Sequence, residues 1–268
     1  MPHSKTDALA KVPAITLGFW VIKILATTFG ETAGDAVSMS WLGETTPDAP
    51  TSFWQSGYLI GTGIFGAALA VLVFLQIRAR RFNPWLYWAT IIASTTAGTT
   101  MADFVTRSMG IGYPGGSLLL LGCVLASLLV WRVALGTVSV NSVHEPRAEL
   151  FYWLTITFSQ TLGTALGDWI ADGPLGYLGS AAIFGGILAL IALAWFRTSL
   201  DRVALFWAAF ILTRPLGAVV GDFLDKSHAK GGLELDRFAA SLVLGVAIVG
   251  LILLARQRAA PASAGREP

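Results

Sequence analysis

Four segments of this 268-residue chain share one register without a gap. They read FWVIKILATTFGETAGD at residues 19–35, YWATIIASTTAGTTMAD at 87–103, YWLTITFSQTLGTALGD at 152–168 and FWAAFILTRPLGAVVGD at 206–222. In each, an aromatic–Trp pair opens the segment, a glycine follows the Trp by ten residues, and an aspartate follows that glycine by five. A register that recurs this way implies copies of one supersecondary unit, stacked so that each buries its neighbour's face.

Each copy also carries two long apolar runs. Windows of about 20 apolar residues can cross ~30 Å of hydrocarbon as helices, and only helices or closed barrels satisfy their backbone there. We place the windows at 15–38, 54–77, 85–107, 115–136, 149–171, 176–197, 203–224 and 236–256. The runs are too long and too evenly apolar for barrel strands. Composition agrees: 54% of residues are hydrophobic and 13% charged, against roughly 25% charged in a soluble domain. That balance excludes a soluble enzyme, a disordered chain and a nucleic-acid binder. The single cysteine, Cys123, excludes an internal disulfide or a cysteine zinc cluster. Lys23 interrupts the first run, and no small-x-small cleavage site follows, so we read it as a span rather than a signal peptide.

The expected fold is all-α: a polytopic membrane helix bundle of eight transmembrane helices, built from four parallel two-helix repeats at about 15–80, 81–140, 145–200 and 201–256. Residues 1–14 form an N-terminal tail, 15–256 a single transmembrane domain, and 257–268 a disordered C-terminal tail. Eight spans place both tails on one side. That side carries twelve basic residues and the other four, namely Arg107, Lys226, Lys230 and Arg237. The positive-inside rule then makes both tails cytoplasmic, with the chain in an inner (plasma) membrane. Glu44, Asp48, Asp172, Asp225, Glu234 and Asp236 on the opposite side predict an acidic mouth that attracts cations.

At 100° per residue, the positions one and five before each Asp share a face. They are small in every repeat (Gly34 and Gly30, Ala102 and Gly98, Gly167 and Gly163, Gly221 and Gly217), the spacing that lets helix backbones approach. A second face carries polar groups. Four and seven residues before each Asp stand Glu31 and Thr28, Thr99 and Thr96, Thr164 and Thr161, and Ala218 and Pro215. Eight before stand Thr27, Thr95, Gln160 and Arg214. A lone membrane threonine often bonds only its own helix, but aligned stripes ending in acids mark an ion path. Glu31 and Asp35, one turn apart, can converge on one cation or share one proton. Oxygen donors suit manganese, magnesium or calcium better than copper or zinc. The candidate metal site is therefore Glu31, Asp35, Asp103, Asp168, Asp222, Thr28, Thr96, Thr161 and Gln160. Arg214, directly before a kink-prone Pro215, is the candidate countercharge or gate. Lys23 is expected to snorkel, and the aromatic–Trp pairs to anchor at the membrane interface. His3, His144 and His228 fall in tail or loops, so a histidine-based centre within the membrane is not expected.

The run KILATTFGETAGDAVSMS resembles an uncharacterised family of bacterial multi-pass membrane proteins, which brings no established activity. The segment Glu31-Thr-Ala-Gly-Asp35 is similar to the E-x-G-D signature of the calcium/manganese exchangers of Golgi and bacterial membranes. That family carries two signatures in oppositely oriented halves, each with a Lys after the Asp. Here the Glu lies one residue further away, Ala36 replaces the Lys, and all repeats run in one direction. The resemblance implies cation chemistry.

The leading expectation is a secondary-active transporter, not an enzyme, that moves a divalent metal such as manganese in exchange for protons. Its partners would be that cation, protons and the lipid bilayer, with no resident cofactor and homo-oligomerisation left open. The alternatives are a cation channel with an aspartate ring and a non-transporting sensor or scaffold. Aspartyl proteolysis fits poorly with four equivalent acids, and retinal binding with a seventh span that lacks a lysine.

Overall fold

The computed structural model describes residues 9–44, 56–143, 145–255 and 257–261. Eight α-helices account for most of them: α1 (Leu17–Asp35), α2 (Gly57–Arg78), α3 (Pro84–Asp103), α4 (Gly112–Leu135), α5 (Pro146–Ala171), α6 (Gly176–Arg197), α7 (Arg202–Asp225) and α8 (Arg237–Leu254). Local sequence sets their starts. The Thr16, Asn83 and Asp201 side chains accept from first-turn amides of α1, α3 and α7, and prolines open α3 and α5. Past their aspartates, α1 and α3 widen into π-helical turns, Ala36–Trp41 and Phe104–Ser108. The helix α7 runs unbroken through Pro215.

The odd-numbered helices form an inner ring in the order α1, α3, α5, α7 and back to α1. Their closing contacts repeat from helix to helix. The glycine five before the Asp meets the residue eight before the Asp on the next helix: Gly30 on Thr95, Gly98 on Gln160, Gly163 on Arg214 and Gly217 on Thr27. The position one before the Asp meets the position four before on the next helix: Gly34 on Thr99, Gly167 on Ala218 and Gly221 on Glu31. A Cβ at Gly34 would lie 2.9 Å from the Thr99 Cβ, and one at Gly221 would lie 2.6 Å from that of Glu31. The small-residue face therefore packs the helices, as its spacing predicts.

The even-numbered helices form an outer layer. Each packs mainly on the odd helix of the following repeat: α2 on α3, α4 on α5, α6 on α7, and α8 on α1. The two helices of a repeat are thus not a packed hairpin, a detail the register could not reveal. Among the described residues, α2, α4, α6, α7 and α8 are long and apolar enough to cross a membrane. Only 11–22% of the apolar window is buried in the four even helices, against 50% in α7. The remaining inner helices α1, α3 and α5 carry too much polarity for that test, because the outer layer shields them.

The aromatic–Trp pairs pack on one another, with Trp88, Trp153 and Trp207 buried and Trp20 half-buried. Phe19 meets Trp88 at 5.6 Å between ring centroids, Tyr87 meets Trp153 at 5.7 Å, Tyr152 meets Trp207 at 6.2 Å, and Phe206 meets Trp20 at 5.9 Å. These four contacts run around the ring in the same order as the glycine contacts. The helices that bear them lie inside the outer layer, so the rings fill the core and plug one end of the bundle. Over this plug, two short strands pair antiparallel, β1 (Leu9–Pro13) and β2 (Ala259–Pro261). Residues 259–261 are therefore ordered by backbone pairing, whereas the sequence alone suggested a disordered tail. Lys11 fastens this end through Glu149, at 2.6 Å.

Candidate functional site

Because the inner helices share a register, equivalent positions stack as layers of four along the ring. Next to the aromatic plug lie Lys23, Ile91, Ile156 and Phe210, all fully buried. Lys23 does not snorkel. Its Nζ sits 4.2 Å from the Phe210 ring centroid and has no hydrogen-bond partner among the described residues. Lys23 lies on the buried face of α1 with Phe19, Ile22 and Ala26, whereas Leu17 and Val21 of the same helix are exposed.

One turn further lie Thr27, Thr95, Gln160 and Arg214, followed by Glu31, Thr99, Thr164 and Ala218. Ala218 leaves room, and Arg214 reaches across it into the second of these layers. Its Nη2 lies 2.9 Å from Glu31 Oε2 and donates to Thr99 Oγ1 at 2.6 Å and to Thr164 Oγ1 at 2.5 Å. A single nitrogen on α7 thereby joins α1, α3 and α5. Such a contact set offsets part of the desolvation cost of a fully buried arginine.

The four register aspartates form the next layer and are bridged two by two. Arg107 lies 2.9 Å from Asp103 and 3.1 Å from Asp168. Lys226 donates to Asp35 and lies 3.1 Å from Asp222. Both cations stand four residues after an aspartate, where the other two repeats have Met39 and Asp172. Lys226 lies just beyond the end of α7. Burial acts to lower its pKa, but Asp222, Asp35 and Asp225 outweigh that and hold it well above the ordinary lysine value.

Carboxylates from different helices converge here. Oxygens of Glu31, Asp168 and Asp222 lie within 4.8 Å of one another, and so do oxygens of Asp35, Asp222 and Asp225. Asp35 Oδ1, Asp168 Oδ1 and Asp225 Oδ1 are buried without a hydrogen-bond partner among the described residues. Hard divalent cations take such oxygen sets. Glu31 and Asp35 belong to different triads, which share Asp222.

Other candidates lie apart. Thr28, Thr96 and Thr161 donate to carbonyls of their own helices, from Ile24, Ile92 and Thr157. Gln160 packs against Gly98 in the layer beneath Glu31. Asp103 pairs with Arg107 and joins neither triad. Thr99, Thr164, Arg107, Asp225 and Lys226 were missed as site residues. Carrying the register four residues past each Asp would have found Arg107 and Lys226.

A vestibule of about 450 Å³ opens at the aspartate end, lined among others by Met39, Tyr113, Asp172, Tyr177 and Asp222. Arg107, Lys226, Lys230 and Arg237 line it as well. The mouth is therefore not the acidic one expected. Glu44 accepts from the Gly57 amide, Asp236 caps α8 through the Ala239 amide, and Glu234 accepts from the His228 amide, so these acids serve the loops. Asp48, His3 and His144 lie outside the described residues.

The repeat seen in the register coincides with a known family unit. Residues 18–82, 86–137, 151–201 and 205–259 each match the repeat described as "Repeat of Unknown Function (DUF347)". The chain belongs to the DUF347 family. Each DUF347 repeat supplies one inner and one outer helix, and the family description assigns no activity. No curated protein and no solved structure matches the chain.

Proposed function

We propose that this DUF347 protein is a secondary-active transporter that exchanges a divalent cation, such as manganese, for protons. The observation that carries the reading is the convergence of Glu31, Asp168 and Asp222, from three inner helices, within 4.8 Å. Arg214 supplies a tethered positive charge that holds Glu31 when no metal is bound. A doubly charged ion entering from the vestibule would take over these oxygens and displace the guanidinium. Proton uptake by the same carboxylates would release the metal. The E-x-G-D resemblance around Glu31 and Asp35 supports cation chemistry. The basic residues clustered towards the tails support an inner-membrane protein with both termini cytoplasmic.

Exchange suits this geometry better than conduction. An aspartate selectivity ring would leave four acids facing an open path, whereas here Arg107 and Lys226 bridge them in pairs. The vestibule serves one end, and the aromatic plug and strand pair close the other. Parallel repeats can rock about an axis along the membrane normal to exchange those roles. The test is purified full-length protein in liposomes. Manganese should accumulate against its own gradient when a pH gradient is imposed, and Asp168→Asn should abolish this. Protein that moves no divalent cation under a pH gradient would overturn the reading.

A further inference from the structure

The inner triad is not the only convergence of carboxylates, and the second one breaks the fourfold pattern. Three residues after the register aspartates stand Ser38, Thr106, Ala171 and Asp225. Only the fourth repeat places an acid there, and it comes within 4.8 Å of Asp35 and Asp222 oxygens. Asp103 and Asp168 share Arg107, and their repeats place Thr106 and Ala171, not a third carboxylate, at this position.

Resting on the exchange reading above, we propose that Asp35, Asp222 and Asp225 form a second, outer divalent-cation position that shares Asp222 with the inner triad and is occupied by the Lys226 ammonium when no metal is bound. Two observations beyond the acidic cluster point to a cation. First, Lys226 already places a positive charge among these oxygens, donating to Asp35 and lying 3.1 Å from Asp222. Second, Asp35 Oδ1 and Asp225 Oδ1 are buried and have no hydrogen-bond partner among the described residues, although a buried charged oxygen is costly to leave unmatched. Access is direct, because Asp222 and Lys226 line the vestibule. Arg237 holds Asp225 in place through Oδ2 at 2.8 Å, and Oδ1 has no hydrogen-bond partner among the described residues.

Asp222 then belongs to both positions. A cation entering from the vestibule displaces Lys226 first, and passes to the inner triad as Asp222 changes partner and Arg214 withdraws. Two tethered cations thus mark two steps of one path, and the outer step is peculiar to the fourth repeat.

The test uses the full chain in lipid nanodiscs, titrated with manganese and followed by electron paramagnetic resonance. Wild-type protein should bind two ions per chain, spin-coupled at saturation through the shared carboxylate. Asp225→Asn should remove one ion, and Glu31→Gln the other. Lys226→Met, which keeps every carboxylate, should tighten the outer position by about 5- to 150-fold, the range of ordinary binding couplings. Unchanged stoichiometry and affinity in Asp225→Asn would reduce Asp225 to a partner for Arg237 and overturn the proposal. Unchanged affinity in Lys226→Met would overturn it too, and this variant decides the matter even if Asp225→Asn fails to fold. Should Glu31→Gln lose no ion while Asp225→Asn loses one, the outer position stands and the inner reading falls.

Discussion

Nη2 of Arg214 touches side chains of all three other inner helices, so its removal tests how the ring is held at its centre. Arg214→Met leaves Glu31 buried without its countercharge, and breaking a buried pair from one side typically costs about 3–5 kcal/mol. The unfolding midpoint of the purified protein should fall accordingly. Adding Glu31→Gln should recover part of the loss, because the orphaned charge goes with it. If the double variant is no more stable than the single one, Arg214 acts through something other than Glu31. Arg214→Lys should restore stability only in part, since an ammonium cannot reproduce the guanidinium's planar reach to Glu31, Thr99 and Thr164 together. At this scale the sequence was informative about which residues are polar but less so about where each points. Spacing placed Thr28 and Thr99 on one face, yet Thr28 turns back to the Ile24 carbonyl while Thr99 donates across to that of Gly30. That choice depends on the neighbouring helix, which no single-helix angle contains.

Between elements, the deciding contacts are glycines facing side chains. Gly163 on α5 lies against the stem of Arg214, whereas Gly186 on α6 has open space around it. Gly163→Val should push α5 off α7 and cost more than the usual ~1–3 kcal/mol of overpacking. Gly186→Val should be close to neutral. The fraction of protein eluting as a single sharp species in size-exclusion chromatography separates the two, and similar behaviour would contradict the ring. The small-residue face was legible before any coordinates because its cause is local: backbones close only where side chains are small. The roles of the aromatic pairs and Lys23 were not. Taken as single helices, the repeats put both at the lipid interface, where tryptophan and lysine side chains commonly sit. In this chain the outer helices occupy much of that boundary, so the same residues become a plug and a fully buried lysine over Phe210.

Across the whole molecule, the repeat fixes the number of units, while tertiary packing fixes how they join. Each outer helix lies on the next repeat's inner helix, and α8 closes the circle on α1. A Cβ at Gly245 of α8 would lie 3.4 Å from the Phe29 ring of α1. Phe29→Cys with Gly245→Cys, in a Cys123→Ala background, should therefore cross-link with a short bifunctional thiol reagent, seen as a mobility shift on a gel. Failure to cross-link would mean that the circle is not closed by α8. Replacement of Arg214 by a metal ion at the inner carboxylates can be seen in a crystal of the protein grown with manganese, with anomalous scattering recorded at the manganese edge. An anomalous peak should lie between Glu31, Asp168 and Asp222, with the guanidinium withdrawn from Glu31. An intact Arg214–Glu31 contact with no peak among these carboxylates would contradict that replacement.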